Sequence, residues 1–462
     1  MTEQTKKSLR ARLNRGDVDM TEGNIAKHIL VFAFPLLIGN IFQQLYNMVD
    51  TWVVGQYVSN EAFSAVGSVG PIINMLIGFF LGLASGAGVV ISQYYGAKNE
   101  KKVIEAVHTS ILMTLMFGVG VTALGIFLTP YMVDLMKAPA DVRPEAITYL
   151  TIYFAGVMGL MIYNMGSGIL RAVGDSQKPF YFLVVSAVLN TVLDLLFVIK
   201  FRMGVAGVAY ATVIAQAVSA VLVLITLFTS KSCIRLRLRD MKLSKNMLGK
   251  IFRVGTPAAL QMAITSFSNI FVQSYINYFD TDCMSGWTAY NKIDALLFMP
   301  MQSISLASTT FVGQNLGKNQ VERAKKGVSI SLLMAVTSTV IVMIPVIIFA
   351  PSAVAFFNPK PEVVAYGTMM LRYISPFYVL CCVNQVYSGA LRGAGDTRAP
   401  MIIMLFSFVV FRQIYLFVMS HFIMNEIIPI AMGYPAGWLV CSAITFIYYH
   451  RANLGKSRVV ED

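Results

Sequence analysis

Twelve apolar runs, each long enough to cross a bilayer as a helix, constrain this chain more than any other feature of its sequence. A hydrocarbon core of roughly 30 Å takes about 20 apolar residues at about 1.5 Å per residue. Six runs lie near 29–57, 63–92, 103–129, 146–170, 180–200 and 204–229. Six more lie near 251–278, 288–313, 327–349, 363–391, 399–422 and 427–449. Backbone groups in lipid must be bonded within the protein, so such runs fold as helices. The composition agrees, with 56% hydrophobic and 13% charged residues. That charge is about half the share of a soluble domain. It excludes a disordered chain and argues against a soluble enzyme of several domains. The expected fold class is an all-α integral membrane protein with twelve transmembrane helices.

The net charge of +13 could suggest a nucleic-acid partner, but its distribution points elsewhere. An even number of spans puts both termini on one side. Loops and tails on that side carry 28 Lys and Arg, and the opposite side carries five: Lys137, Arg143, Lys200, Arg202 and Lys360. That bias places both termini in the cytoplasm and makes the basic charge a topology signal. No nucleic acid is expected as a partner, and the bilayer is a cytoplasmic membrane. The polar first 23 residues contain no apolar signal region, so no cleaved signal peptide is expected. Five Cys (Cys233, Cys283, Cys381, Cys382, Cys441) are too scattered for a disulfide framework or a zinc site. The four His are too far apart in sequence to show metal-ligand spacing, so no cofactor is expected.

Shifted by about 221 residues, the sequence matches itself. Ser167-Gly168-Ile169-Leu170-Arg171, Gly174-Asp175 and Pro179 align with Ser388-Gly389-Ala390-Leu391-Arg392, Gly395-Asp396 and Pro400. Gln93 and Gly96 align with Gln314 and Gly317, Pro35 with Pro257, and Asn47 with Asn269. Matches in three places at nearly one offset are the mark of an internal repeat. Each copy has six spans and begins in the cytoplasm, so the repeats are parallel, the layout of transporters that rock two bundles around a site. The expected organisation is a cytoplasmic tail over 1–28, an N-lobe over 29–229 and a basic linker over 230–250. A C-lobe over 251–449 and a cytoplasmic tail over 450–462 follow. The repeated Leu-Arg-x-x-Gly-Asp segment reads as a tight turn, with Gly in a left-handed conformation and Asp capping the next helix.

Ionisable groups at bilayer depth are costly and face protein or water. Asp50, Asp194 and Asp294 qualify. Gln43, Tyr46, Asn47 and Asp50 fall on one helix face, as do Ser186, Asn190 and Asp194, and Thr212, Gln216 and Ser219. By helical rise, Asp50, Asp194 and Thr212 all fall in the outer half of the bilayer, so one pocket could gather them. Two carboxylates in one low-dielectric pocket would not both ionise, which makes a proton acceptor. The same oxygens, with those of Asn190 and Thr212, could instead hold Na⁺. In the second copy Asp50 is replaced by Val272, Asn190 by Phe411 and Asp194 by Tyr415. The cation site is therefore expected in the first copy alone. Asp294 and Lys292 are expected in the first turns of span 8, solvated or lining an outward-facing cleft. Arg412 reads as a buried ion pair or a snorkelling side chain. Amides beside aromatic or Met residues could line a cavity for organic cations: Tyr163 and Asn164, Gln261, Asn269 and Gln273, and Asn384 and Tyr387. Gln43, Tyr46 and Asn47 join that set.

Several of these segments carry a resemblance. Pro35 and Asn47-Met48-Val49-Asp50-Thr51-Trp52-Val53-Val54-Gly55 stand on span 1, and Gln93-Tyr94-Tyr95-Gly96-Ala97 follow span 2. The Leu-Arg-x-x-Gly-Asp turn occurs twice. Leu189-Asn190-Thr191-Val192-Leu193-Asp194 precedes Gly204-Val205-Ala206-Gly207-Val208-Ala209-Tyr210-Ala211-Thr212. In that order, across essentially the whole chain, they resemble the MATE family, the multidrug and toxic compound extrusion transporters. The resemblance implies a V-shaped pair of pseudo-symmetric six-helix lobes exporting cationic or amphipathic drugs against H⁺ or Na⁺, as a monomer and not an enzyme. In the prokaryotic branch with an N-lobe cation site, the matching positions are Asp50, Asn190, Asp194 and Thr212, and protonation of Asp50 would bend span 1 at Pro35. Pro257 is its repeat counterpart. A sodium-coupled branch uses acids on spans 7 and 10, which this chain lacks. A lipid-linked precursor flippase would need a more basic cavity, for which only Arg412 and Arg372 offer themselves; that flippase or a metabolite exporter is the alternative.

Overall fold

The computed structural model describes residues 18–58, 60–135, 139–276, 278–455 and 459–461. Residues 1–17 of the expected N-terminal tail, and 456–458 and 462 of the C-terminal tail, lie outside the described residues. Helices α1 (Ile25–Tyr57), α2 (Asn60–Gly96), α3 (Glu100–Leu135) and α4 (Arg143–Ala172) come first. Then α5 (Gln177–Asp194) runs into a π-helical turn (Leu195–Lys200) ahead of α6 (Gly204–Thr229). In the second half, α7 (Lys245–Ile276), α8 (Thr281–Gly317) and α9 (Val321–Ile348) precede the short α10 (Ala350–Phe357). Helix α11 (Pro361–Ile374) passes through one 3₁₀ turn, Ser375–Phe377, into α12 (Tyr378–Ala394). Helices α13 (Arg398–Met404) and α14 (Arg412–Val418), joined by π-helical turns, form the next span, and α15 (Ile427–Ala431) leads into α16 (Gly433–Arg451). Among the described residues there is no strand.

Ten of these helical stretches are long and apolar enough to cross a membrane by themselves. The other two of the twelve expected spans depart for identifiable reasons. The α7 sequence is rich in Ser, Thr, Asn and Gln. The span over 363–391 is interrupted at Pro376, which has no N–H to give the preceding turn.

The chain forms two compact units. One comprises Phe34–Ala259 with the described part of Met1–Asp19, and the other Met20–Ala33 with Leu260–Asp462. Helix α1 thus changes unit one residue before Pro35, and α7 changes unit two residues after Pro257.

In the first unit, α4 is the central helix. Gly156 and Gly166 of α4 meet Val213 and Val223 of α6 so closely that a Cβ at either glycine would overlap the valine. Small residues replace hydrophobic driving force between helices in lipid by close backbone packing. Leu83 of α2, Tyr149, Tyr153, Phe154 and Val157 of α4, and Val205 and Val208 near the start of α6 make the buried core. The linker is pinned to the start of α3: Arg237 N–H donates to His108 Nε2 at 3.1 Å and Ser244 N–H to Thr109 Oγ1 at 3.2 Å.

The second unit repeats the first in detail. Gly174 and Gly395 both take left-handed φ, +90° and +98°. Asp175 N–H donates to the Leu170 carbonyl and Asp396 N–H to that of Leu391, at 3.0 and 2.9 Å. Each aspartate then caps the next helix, accepting from the N–H of Lys178 or Ala399. Lys98 and Asn319, closing α2 and α8, share positive φ of 56° and 62°. These matches, 221 residues apart, give the two copies one fold.

Candidate functional site

Helices α5 and α6 run antiparallel and are joined by a ladder of buried hydrogen bonds. Ser219 Oγ donates to the Phe182 carbonyl at 3.3 Å, and Ser186 Oγ to the Ala215 carbonyl at 3.0 Å. One turn further along, Asn190 Nδ2 lies 3.5 Å from Thr212 Oγ1, which itself donates to the Val208 carbonyl at 3.1 Å. The stripes read from the sequence therefore face each other, as i, i+4 spacing on two antiparallel helices requires.

Asp194 is the next position on the α5 stripe. It is fully buried, Asn190 is 2% exposed and Thr212 8%. Asp194 ends the α-helix, and the wider π-helical turn begins at Leu195. Such turns interrupt the i→i−4 ladder and recur at functional sites. Asn190 Oδ1 is buried with no hydrogen-bond partner among the described residues. Asp194 follows Asn190 by one helical turn, so a carboxylate and an amide share one buried face of α5. The side chains of Asp50 and Asn47 lie outside the described residues, so the α1 side of the expected pocket is not described. Gln43 and Tyr46, on the same stripe, are half-buried within the first unit.

The other positions read from the sequence lie in several places. Asn164 is buried and donates to the Leu160 carbonyl at 3.0 Å, while the Tyr163 hydroxyl donates to that of Pro179 at 3.1 Å. In the second unit, Gln261 is buried beside Met404. Asn384 accepts from Ser388 and Cys441, and Tyr387 packs on Tyr449 at 4.5 Å. Gln273 accepts from Trp287 Nε1 at 3.0 Å. Asn269 is exposed and accepts from Arg412 at 3.0 Å and Tyr434 at 3.4 Å.

Among the described residues Arg412 has no ion-pair partner, and it is buried rather than snorkelling. It is 2% exposed, and among the described residues no carboxylate lies within salt-bridge reach. Its guanidinium donates to Ser268 Oγ at 2.6 Å and to Asn269, and sits 4.8 Å over the Tyr434 ring. Hydroxyl, amide and aromatic face together replace a counter-ion.

Asp294 also departs from its expected place. Helix α8 starts at Thr281, earlier than the hydropathy suggests, because Asp280 caps it by accepting from the Cys283 N–H at 2.7 Å. Asp294 is therefore in the fourth turn, about 20 Å along the helix. It is half-buried, and one carboxylate oxygen, Oδ1, accepts from the hydroxyls of both Tyr290 and Tyr378. Trp287, Tyr290 and Asp294 follow i, i+3, i+7, a stripe legible in the sequence. Tyr378 is brought up by the 3₁₀ turn at Pro376, which hydropathy hides.

A family model, MatE, matches residues 35–196 and 257–418, one match in each copy. The chain is similar to the probable multidrug resistance protein YpnP of Bacillus subtilis, 29% identical over 93% of this chain and 96% of that protein. It is 27% identical to the probable multidrug resistance protein NorM of Thermotoga maritima, covering 95% of this chain and 96% of that one. A crystal structure of MATE in the straight conformation matches with a TM-score of 0.87 and 26% identity, over 94% of this chain and 97% of that chain.

Proposed function

This chain belongs to the MatE family, and on that premise we propose that it is a secondary antiporter exporting cationic or amphipathic drugs by alternating access. The observation that carries the coupling half of this reading is the fully buried Asp194, beside the Asn190–Thr212 rung in the first unit. The drug half rests on the names of similar multidrug resistance proteins.

In this mechanism a coupling ion, H⁺ or Na⁺, enters from outside and neutralises the site made by Asp194 and Asp50, with Asn190 and Thr212 as neutral oxygen or amide partners. Neutralisation removes the cost of a buried negative charge and changes which arrangement of α1 is favoured; Pro35, inside α1, absorbs the change. The drug leaves outward and the ion is delivered to the cytoplasm. Exchange of one monovalent ion for one monovalent organic cation moves no net charge, so the ion's concentration gradient drives it; a tenfold ion gradient, worth about 1.4 kcal/mol, supports about a tenfold opposing drug gradient. The protein acts as a monomer in the plasma membrane with both termini cytoplasmic, and carries out no chemical conversion.

The experiment is gradient-driven movement of a fluorescent organic cation in liposomes holding the purified protein. A pH gradient and a Na⁺ gradient are imposed in turn. Movement under one of them establishes antiport and identifies the ion. No movement under either, with folded protein, refutes drug antiport and turns attention to a lipid-linked or metabolite cargo.

A further inference from the structure

We propose that Asp294 is the charge-recognising contact for exported compounds in the second unit, taking the ammonium or other organic cation of a basic amphiphile. The proposal rests on the exporter reading but not on the coupling site.

The carboxyl is held on one side only. Both tyrosine hydroxyls, Tyr290 and Tyr378, donate to Oδ1, and no hydrogen bond from a described residue reaches Oδ2. The two hydroxyl oxygens lie 3.3 Å apart and converge on the same carboxylate oxygen. The two hydrogen bonds to Oδ1 fix the orientation of the carboxyl group. Among the described residues no Lys or Arg pairs with it. Lys292, two residues earlier, points to another side of the helix. Arg412 is committed to Ser268, Asn269 and the Tyr434 ring. Burial of a carboxylate with two neutral donors and no counter-charge leaves a negative potential for an arriving cation to neutralise.

The surroundings fit an organic cation better than a bare metal ion. Trp287 stacks on Tyr290 at 5.0 Å and packs against Tyr434 at 5.5 Å, while Trp438 packs on Tyr378 at 5.4 Å. Aromatic shells attract weakly hydrated cations through their faces, and a metal ion would need several more oxygen ligands than one carboxylate offers. The exposed Asn291, one turn before Asp294 on α8, opens that face to an arriving ligand.

The test is equilibrium binding to the full-length protein in nanodiscs, with rhodamine 6G as a lipophilic cation and Nile red as a neutral dye. Asp294→Asn keeps the shape and removes the charge. It should weaken rhodamine 6G binding about tenfold, the value of a hydrogen-bonded contact to a charged group, and leave Nile red nearly unchanged. In the wild-type protein, rhodamine 6G should slow labelling of Asp294 by dicyclohexylcarbodiimide, read by peptide mass spectrometry, and Nile red should not. This second arm decides the matter if the variant does not fold. Rhodamine 6G binding that survives Asp294→Asn overturns the proposal and leaves antiport standing, as does equal loss of both dyes by a folded variant. No binding of rhodamine 6G by the wild-type protein overturns the proposal, and antiport is then judged by the liposome experiment alone.

Discussion

Replacing Thr212 by Val removes the hydroxyl facing Asn190 while keeping the volume and branching of the side chain. The resulting stability loss is bounded by geometry. The Asn190–Thr212 distance of 3.5 Å is at the outer edge of hydrogen-bond distances. Interhelical hydrogen bonds in membrane proteins average about 0.6 kcal/mol and reach about 1.7. A long rung belongs near the lower value, so Thr212→Val should cost about 0.6 kcal/mol. The effect on the coupling ion should be larger. A hydrogen bond to a charged group contributes about 1.5–3 kcal/mol, so the half-saturating concentration of the driving ion should rise tenfold or more. Ser186→Ala is the control. It removes a shorter rung, 3.0 Å, from the same ladder two turns from Asp194. It should cost at least as much stability and leave the half-saturating ion concentration unchanged. Thermal unfolding in detergent gives the first quantity and dye transport in liposomes the second. If both variants lose transport in proportion to stability, the Asn190–Thr212 rung is only helix-to-helix adhesive and the reasoning fails.

Three further outcomes follow from the geometry. Pro35→Ala restores a backbone donor inside α1, where a proline costs about 3 kcal/mol in an unconstrained helix, so unfolding should shift to higher temperature while dye transport slows; a variant transporting at full rate excludes a hinge there. Gly174→Ala forces a side chain into a left-handed turn, at about 1–2 kcal/mol, and its Cβ would also overlap the Val18 carbonyl, so the melting temperature should fall; an unchanged melting temperature would contradict this. Arg412→Met leaves Asn269 and Ser268 without their guanidinium donor and should destabilise the protein by about 1.5–3 kcal/mol, whereas a neutral result in thermal unfolding would mean that burying this charge costs as much as its bonds return.

The helical membrane fold and its duplication were legible because hydropathy and repeat offset are one-dimensional signals. The polar ladder was legible too, since Ser186, Asn190 and Asp194 on α5 and Thr212 and Ser219 on α6 keep helical spacing. What the sequence hid depended on departures from regular helix. The early start of α8 rests on a cap at Asp280, and it moved Asp294 from an expected rim position to a half-buried one. The 3₁₀ turn at Pro376 lies inside an apolar run, and it presents Tyr378 to that carboxylate. Arg412 was misread because its compensation comes from neutral groups on α7 and an aromatic ring of α16, none near it in sequence. The exchange of unit membership by the first turns of α1 and α7 leaves no mark on hydropathy, although Pro35 and Pro257 stand beside both crossing points.

The central claim is that a buried carboxylate in the first unit couples ion entry to drug exit. Accumulation of a fluorescent organic cation against its gradient, compared between wild type and Asp194→Asn in liposomes of matched protein content, tests it most directly. The account predicts driven accumulation in the wild type, up to about tenfold per tenfold gradient of the coupling ion for one-for-one exchange, and none in the variant although it remains folded. Equal accumulation in both would contradict the account.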